Sequence, residues 1–307
     1  MKNRGFIYIF TLVIISLLAL VFYFIYSSSL NGSLIARLRL NKIQADYMAE
    51  SAINIVMANK NFKDEIENKY YEMDGHEKFW NPTLTENLKD TQINNLQGKI
   101  MKGGKFNISS DVTYKKLNSK MILEGTFINK FYLESDGILN SKKGEAKDLL
   151  EFVSSFEKLK NGQIEGAKIL ITKGDYVIGT RNGRPAIFEE FEGPKGREEI
   201  IKSYLEPGVI LYIQEGSVKL EKSPAYLDNP IILNGVLKGD KLIMEGFLFI
   251  DREGLLQSKT KVDGYLIDIF DRAGDISVKY RQENLKKYGK ILPDYIKIKA
   301  GRLIKNN

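Results

Sequence analysis

One histidine, no cysteine and scattered carboxylates are what this 307-residue sequence offers to chemistry. Without cysteine there is no disulfide framework, thiolate metal site or cysteine nucleophile. His76 has only Glu72, Asp74 and Glu77 as local partners, and zinc sites combine several His or Cys ligands, so it reads as an exposed loop residue. No metal or cofactor is expected. A Ser-His-Asp triad would have to use the same histidine, with no nucleophile motif to match it. The stretch "GKIMKGGK" (98–105) approaches a phosphate loop, but Gly103 is followed by Gly104 and Lys105 by Phe106, so it reads as a turn. The acidic pairs Glu189/Glu190 and Glu198/Glu199 flank Phe191 and "GPKGR". Neighbours on a strand point to opposite faces, and neighbours on a helix diverge by about 100°. A two-carboxylate hydrolytic site built from distant residues stays open, with nothing to select its members. The expectation is a chain with no catalytic residues and no enzymatic activity.

The elements that would carry any function begin with a membrane segment. Phe6 to Tyr26 contains no charged residue, and only Thr11 and Ser16 interrupt its apolarity. As a helix, its twenty-odd residues reach about 30 Å, the thickness of a bilayer's hydrocarbon core. The run is longer than the 7–15 apolar residues or so of an ordinary signal peptide. Lys2 and Arg4 precede it, whereas the next cations, Arg37 and Arg39, lie well beyond it. The positive-inside bias therefore predicts a single-pass protein with a cytoplasmic N-terminus and its bulk outside, anchored in the lipid bilayer. Beyond the membrane, residues 27–60 continue as helix, with Leu34, Leu38, Ile43, Tyr47, Ile53 and Met57 at roughly helical intervals and Ala45, Ala49 and Ala52 among them. Gly32, set among serines and Asn31, marks an expected bend or local melting.

A basic leader ending in Gly5, then Phe6, an apolar helix and "QADYMAESAINIVMA" together resemble the N-terminal region of PilX-type minor pilins, type IV pilus assembly proteins related in pattern to K-type minor pseudopilins. The resemblance covers about the first sixty residues and rests on short motifs. It implies a leader of residues 1–5, cut after Gly5 by a prepilin peptidase that methylates Phe6. It also implies assembly with other pilin or pseudopilin subunits, driven by an ATPase, with Phe10 and Thr11 as filament-contact candidates. Major pilins carry a glutamate at the fifth residue after the cut, where Phe10 stands here. A buried carboxylate is costly unless paired, so its absence points to a minor subunit. The rival reading is a permanently anchored extracellular binding protein.

Residues 61–160 read as connecting helices followed by an antiparallel meander. The part up to Gly104 is polar and helix-leaning, and "KFNISSDVTY", "KMILEGTFIN" and "KFYLESDGIL" alternate as strands. "LESDGILNSKKGEAKDLLEFVSSF" resembles the last strands of a minor-pilin head. From 161 to 307 four Gly-led apolar segments, at Gly166, Gly208, Gly246 and Gly264, are separated by 42, 38 and 18 residues. These approach multiples of a coil of about twenty and favour a β-solenoid over an antiparallel sheet with Gly turns. Heads of this sort fit PilX-like proteins of Gram-positive bacteria. The tail reads as a strand, a short helix capping the open end of the stack, and a final strand. The fold class is thus α+β, a long N-terminal helix before a mainly β head. The net charge of +7 is spread among acids, with no cationic stripe interleaved with aromatics, so no specific nucleic-acid binding is indicated. Weak attraction to an anionic surface stays open. "GTRNGRPAIFEEFEGPKGREE" (179–199) is the best candidate for an exposed contact surface, set against a plain loop between coils. The ligand of the head is left unassigned.

Overall fold

The computed structural model describes residues 3–193 and 196–306, with side chains from residue 7 onward. It is α+β, a long N-terminal helix followed by an antiparallel sheet and a β-solenoid. The chain divides into two compact units, residues 1–125 with 300–307, and residues 126–299.

In the first unit α1 (Asn3–Ala58) runs without a break, and Gly32 is helical like its neighbours. Helical hydrogen bonds within lipid or along a stalk leave glycine no reason to unwind unless a partner takes its backbone groups. A short helix, α2 (Phe62–Tyr71), follows. The sheet is formed by β1 (Lys78–Trp80), β2 (Thr91–Met101), β3 (Lys105–Tyr114), β4 (Leu117–Ile128) and the chain's last strand, β17 (Ile296–Asn306), in the order β1-β2-β3-β4-β17. Between β3 and β4 only Lys115 and Lys116 intervene, both with positive φ, as a tight hairpin requires. Ala45, Ala49, Ala52, Ile53 and Val56 are buried in this unit, as are Phe106, Ile108 and Val112 of β3. Alanine every third or fourth residue lets the helix backbone approach a sheet closely.

The polar stretch read as helix-leaning contains β1 and β2 as well as α2. Asn, Gln and Gly weaken the strand signal of β2, of which only Gly98 and Ile100 are buried. Gly98 is required there: a Cβ would lie 2.4 Å from the Trp80 ring, whose Nε1–H donates to Glu65.

The second unit opens with a 3₁₀ turn (Lys130–Tyr132) and a three-residue strand, β5 (Ile138–Asn140), where a third meander strand was expected. Asn129 accepts from the Phe131 N–H and starts the turn, and Tyr132 is fully buried. The next segment is not strand but helix, α3 (Ala146–Lys160), because Leu149, Phe152, Val153, Phe156 and Leu159 recur at helical spacing.

The solenoid follows as β6 (Ile169–Lys173), β7 (Tyr176–Arg181), the antiparallel hairpin β8 (Arg184–Gly193) and β9 (Gly196–Tyr204), then β10 (Ile210–Glu215), β11 (Ser217–Leu220), β12 (Ala225–Leu227), β13 (Ile231–Leu233), β14 (Val236–Ile250), β15 (Leu255–Asp268) and β16 (Ile276–Tyr280). Apart from β8, which pairs antiparallel with both β7 and β9, its strands among the described residues pair in parallel. They define three faces. Face A stacks β6, β10, β13 and the C-terminal parts of β14 and β15 on β5; face B stacks β7, β11 and the starts of β14 and β15; face C stacks β12, the middles of β14 and β15, and β16. On face A, Leu170 lies beside Leu211, Leu211 beside Ile231, Ile231 beside Leu248 and Leu248 beside Leu266. The 42-residue interval is therefore one coil enlarged by the β8–β9 hairpin, not two coils. Inside, Leu211, Ile231, Leu248 and Leu266 belong to one buried cluster with Val218, Leu237, Met244 and Val262, so each coil closes its neighbour's core. At the corner before face A, Gly246 and Gly264 stand in register, and a Cβ on Gly264 would fall 1.8 Å from the Gly246 carbonyl oxygen.

The expected end cap is a flank. Helix α4 (Gln282–Tyr288) lies against β14 and β15, with Tyr288 over Gly246 and Asn284 Nδ2 donating to the Asp263 carbonyl. The strand after it joins the other unit's sheet, so the 161–307 boundary moves at both ends: 126–160 belongs with the solenoid and 300–307 does not.

Candidate functional site

The N-terminal residues singled out by sequence sit on α1. Lys2 lies outside the described residues, and Arg4, Gly5 and Phe6 enter only as helical backbone. Phe10 is 57% exposed on the surface of the helix. The Thr11 hydroxyl donates to its own helix, to Ile7 O at 2.6 Å and Tyr8 O at 3.1 Å, and Ser16 Oγ donates to Leu12 O at 2.8 Å. Both hydroxyls are thereby satisfied without water, as a helix in hydrocarbon requires. This is a helix long and apolar enough to cross a membrane: its best window has a mean hydropathy of 2.6 and is unburied by the rest of the chain.

The uncovered apolar surface does not stop where a membrane would. Leu30, Leu34, Ile35, Leu38, Leu40 and Ile43 are exposed as well, at 47–60%. The stripe that docks is therefore not the Leu34–Leu38–Ile43–Tyr47 line read from the sequence but the alanine line beginning at Ala45. From residue 7 to residue 40 the helix measures about 50 Å at 1.5 Å per residue, against a hydrocarbon core of about 30 Å.

Where covering begins, α1 is held by charge. Asp46 accepts from Ser119 Oγ and Lys305 Nζ, each at 2.6 Å, and Lys42 stands 3.8 Å away while donating to the Asn118 carbonyl. Burial works against the Asp46 carboxylate, but the bonds from Lys305 and Ser119 and the charges of Lys305 and Lys42 outweigh it and hold its pKa below the ordinary value.

The 179–199 stretch is the hairpin. Its acids are largely taken up: Glu189 pairs with Lys202, Glu190 with Arg197, and Arg181 binds Glu199 and Glu221 through two nitrogens each while lying over the Phe188 ring. Those carboxylates hold the Arg181 guanidinium further above its already high pKa. The structure brings Glu190 and Glu199 opposite one another across the hairpin, while Phe191, Ile200 and Ile201 are exposed. His76 is exposed in a turn, and among the described residues no group of three or more His, Cys, Asp or Glu side chains is placed to hold a metal. In the solenoid unit a cleft of about 450 Å³ gathers Asp148, Glu151 and Asp294 with Lys130 and Lys297, and Lys130 Nζ stands 3.3 Å from Asp148.

A feature the sequence concealed is a ridge of lysines between faces B and C. It comprises Lys219, Lys222, Lys238, Lys241, Lys259 and Lys261, all exposed and, among the described residues, none in an ion pair. They come as three pairs in the chain, Lys219/Lys222, Lys238/Lys241 and Lys259/Lys261, some twenty residues from one pair to the next, and the pairs meet only when coils stack, so no local run announces the ridge.

No family model, curated protein or solved structure matches the chain.

Proposed function

We propose that this chain is a minor-pilin-like or pseudopilin-like subunit. It is a non-enzymatic structural protein, anchored through α1 with its N-terminus in the cytoplasm and its head outside, that contributes to a type IV pilus or related secretion filament. The observation that carries this reading is that α1 stays uncovered well beyond a bilayer's span and still exposes large aliphatic side chains there, among Arg37, Arg39 and Lys42. A bilayer accounts for about twenty residues of it. The remainder, from Leu30 to Ile43, still turns large aliphatic side chains outward, and exposed apolar surface of that extent marks an interaction site. Packed helices of neighbouring subunits would cover both parts at once, after the lipid has held the first. The alanine-lined docking of the following segment on an antiparallel sheet agrees with such a subunit, as does the sequence around Gly5-Phe6. Phe10, in place of an acid, makes it a minor one.

The test is intact-mass spectrometry of the protein from cells with an active prepilin peptidase. The expected species lacks residues 1–5 and carries a methylated Phe6 amine. Retention of Met1 under those conditions sinks the assembly reading and leaves a permanent anchor.

A further inference from the structure

We infer that the ridge between faces B and C binds a linear acidic polysaccharide, one bearing a carboxylate on each sugar, laid along the axis of the stack. Lys219 and Lys238 are register partners on adjacent coils of face B, and Lys241 and Lys259 are register partners on face C, with Lys261 beside them and Lys222 at the corner. Parallel neighbours lie about 4.8 Å apart, and like charges placed opposite one another destabilise a sheet. Yet among the described residues none of the six has an ion-pair partner, whereas most acids of the neighbouring hairpin do. The acids facing the ridge are few. Glu221 is bound to Arg181, Asp240 accepts from Ser223 Oγ, and Asp175 is held by the Ser217 N–H and hydroxyl.

The ligand chemistry follows from spacing and residue type. Cations repeat at about the interval between coils, roughly 4.8 Å, close to the length of one sugar in an extended chain. Tyr226, 67% exposed, heads the outward row Tyr226–Ile243–Lys261, giving a flat apolar platform against which a sugar ring can stack beside the charges. Nucleic acid is disfavoured by the same surface. Single strands call for a series of aromatic platforms, and the ridge has one. A duplex calls for arginine forks or a helix entering a groove, and the ridge is a convex corner of lysines. The inference goes beyond the filament reading and does not depend on it, since an anchored head presents the same ridge.

The experiment uses the full chain in detergent micelles, with polygalacturonate as probe, methyl-esterified polygalacturonate as its uncharged counterpart, and single- and double-stranded DNA as competitors. Polygalacturonate is expected to bind and its ester not to. The triple variant Lys238→Gln, Lys241→Gln, Lys259→Gln should weaken binding about tenfold, losing contacts that release counterions, and Tyr226→Ser about threefold, losing the stacking platform. A control that removes the same charge from the other unit, Lys102→Gln, Lys116→Gln, Lys120→Gln, should leave affinity unchanged, and thermal unfolding should be alike in all. Absence of binding, equal weakening by the two triple variants, equal binding of the ester, or tighter DNA binding lost in the ridge variant would each overturn the proposal.

Discussion

Face A of the solenoid and the N-terminal stretch of α1 both turn large apolar side chains away from their own element. On face A the outward residues Phe247, Phe249 and Tyr265 are buried, because α3 lays Phe156 against Phe247 and Phe249 and its preceding turn lays Tyr132 against Tyr265 in edge and tilted ring contacts. On α1 the outward residues from Ile7 to Ile43 are exposed. The same residue types thus serve two purposes, and the difference lies in whether the cover belongs to the chain. Where it does, the surface is core. Where it does not, the surface is a demand on lipid or on another protein.

The comparison breaks most sharply at Phe156. This ring is fully buried between Phe152, Phe247 and Phe249, and its replacement by alanine should cost about 3–5 kcal/mol. The urea midpoint of the solenoid, followed by amide exchange in β14 and β15, checks this. Phe22→Ala removes a ring of the same size from the uncovered surface and should change the stability read from that midpoint by no more than about 0.5 kcal/mol.

Charge on the uncovered surface should separate its two parts. Leu17→Arg adds about 2.5–3.5 kcal/mol to insertion and should shift the protein out of the carbonate-resistant membrane fraction. Leu34→Glu with Leu38→Glu lies beyond the hydrocarbon span. It should leave membrane extraction unchanged and, on the filament reading proposed above, abolish recovery in sheared filaments. If filaments persist with the double variant, the surface beyond the bilayer is not an assembly face.

A smaller effect is expected where α3 ends. Lys160 is buried, its ammonium lies 5.3 Å from the centre of the Phe249 ring, and it bonds Glu157 and Asp251. Burial alone would lower the Lys160 pKa, but those two carboxylates more than offset it and leave the ammonium raised. Lys160→Met strands Asp251 with its own side chain largely covered, at about 1–3 kcal/mol. Lys160→Met combined with Asp251→Leu should recover part of that loss, because an apolar pair suits a covered site as well as an ion pair does. Chemical denaturation of the three variants measures the coupling.

These regions also differ in how far sequence reveals them. The apolar run of α1 is legible because its surroundings impose no pattern beyond apolarity and length. The coils were legible in kind, through Gly246, Gly264 and alternating aliphatics, because a solenoid repeats its own corners. Their count was not, since the β8–β9 hairpin enlarges one coil and mimics two. α3 was misread because its helical spacing had to compete with a supposed strand register, and β2 because its outer face has little to bury. The lysine ridge was invisible for a different reason: its three pairs become neighbours of one another only across coils.

A smaller effect than that of Lys160 belongs to Asp46, where α1 passes from uncovered to covered. Its carboxylate titrates below the ordinary value of 3.8 in the folded chain, so the folded state favours the charged form. That contribution is fully present above pH 3.8 and is lost as pH falls through the depressed folded value. Because the carboxylate is partly open to solvent, its bonds to Ser119 and Lys305 should contribute no more than about 1 kcal/mol. Asp46→Asn should therefore lower the stability of the antiparallel unit slightly at pH 7 and flatten its acid limb below pH 4, with the solenoid unaffected. Trp80 fluorescence in urea at both pH values reports on that unit, because the indole lies over Gly98 in its sheet. An unchanged acid limb in the variant would mean that the alanine line holds the covered half of α1 without help from charge.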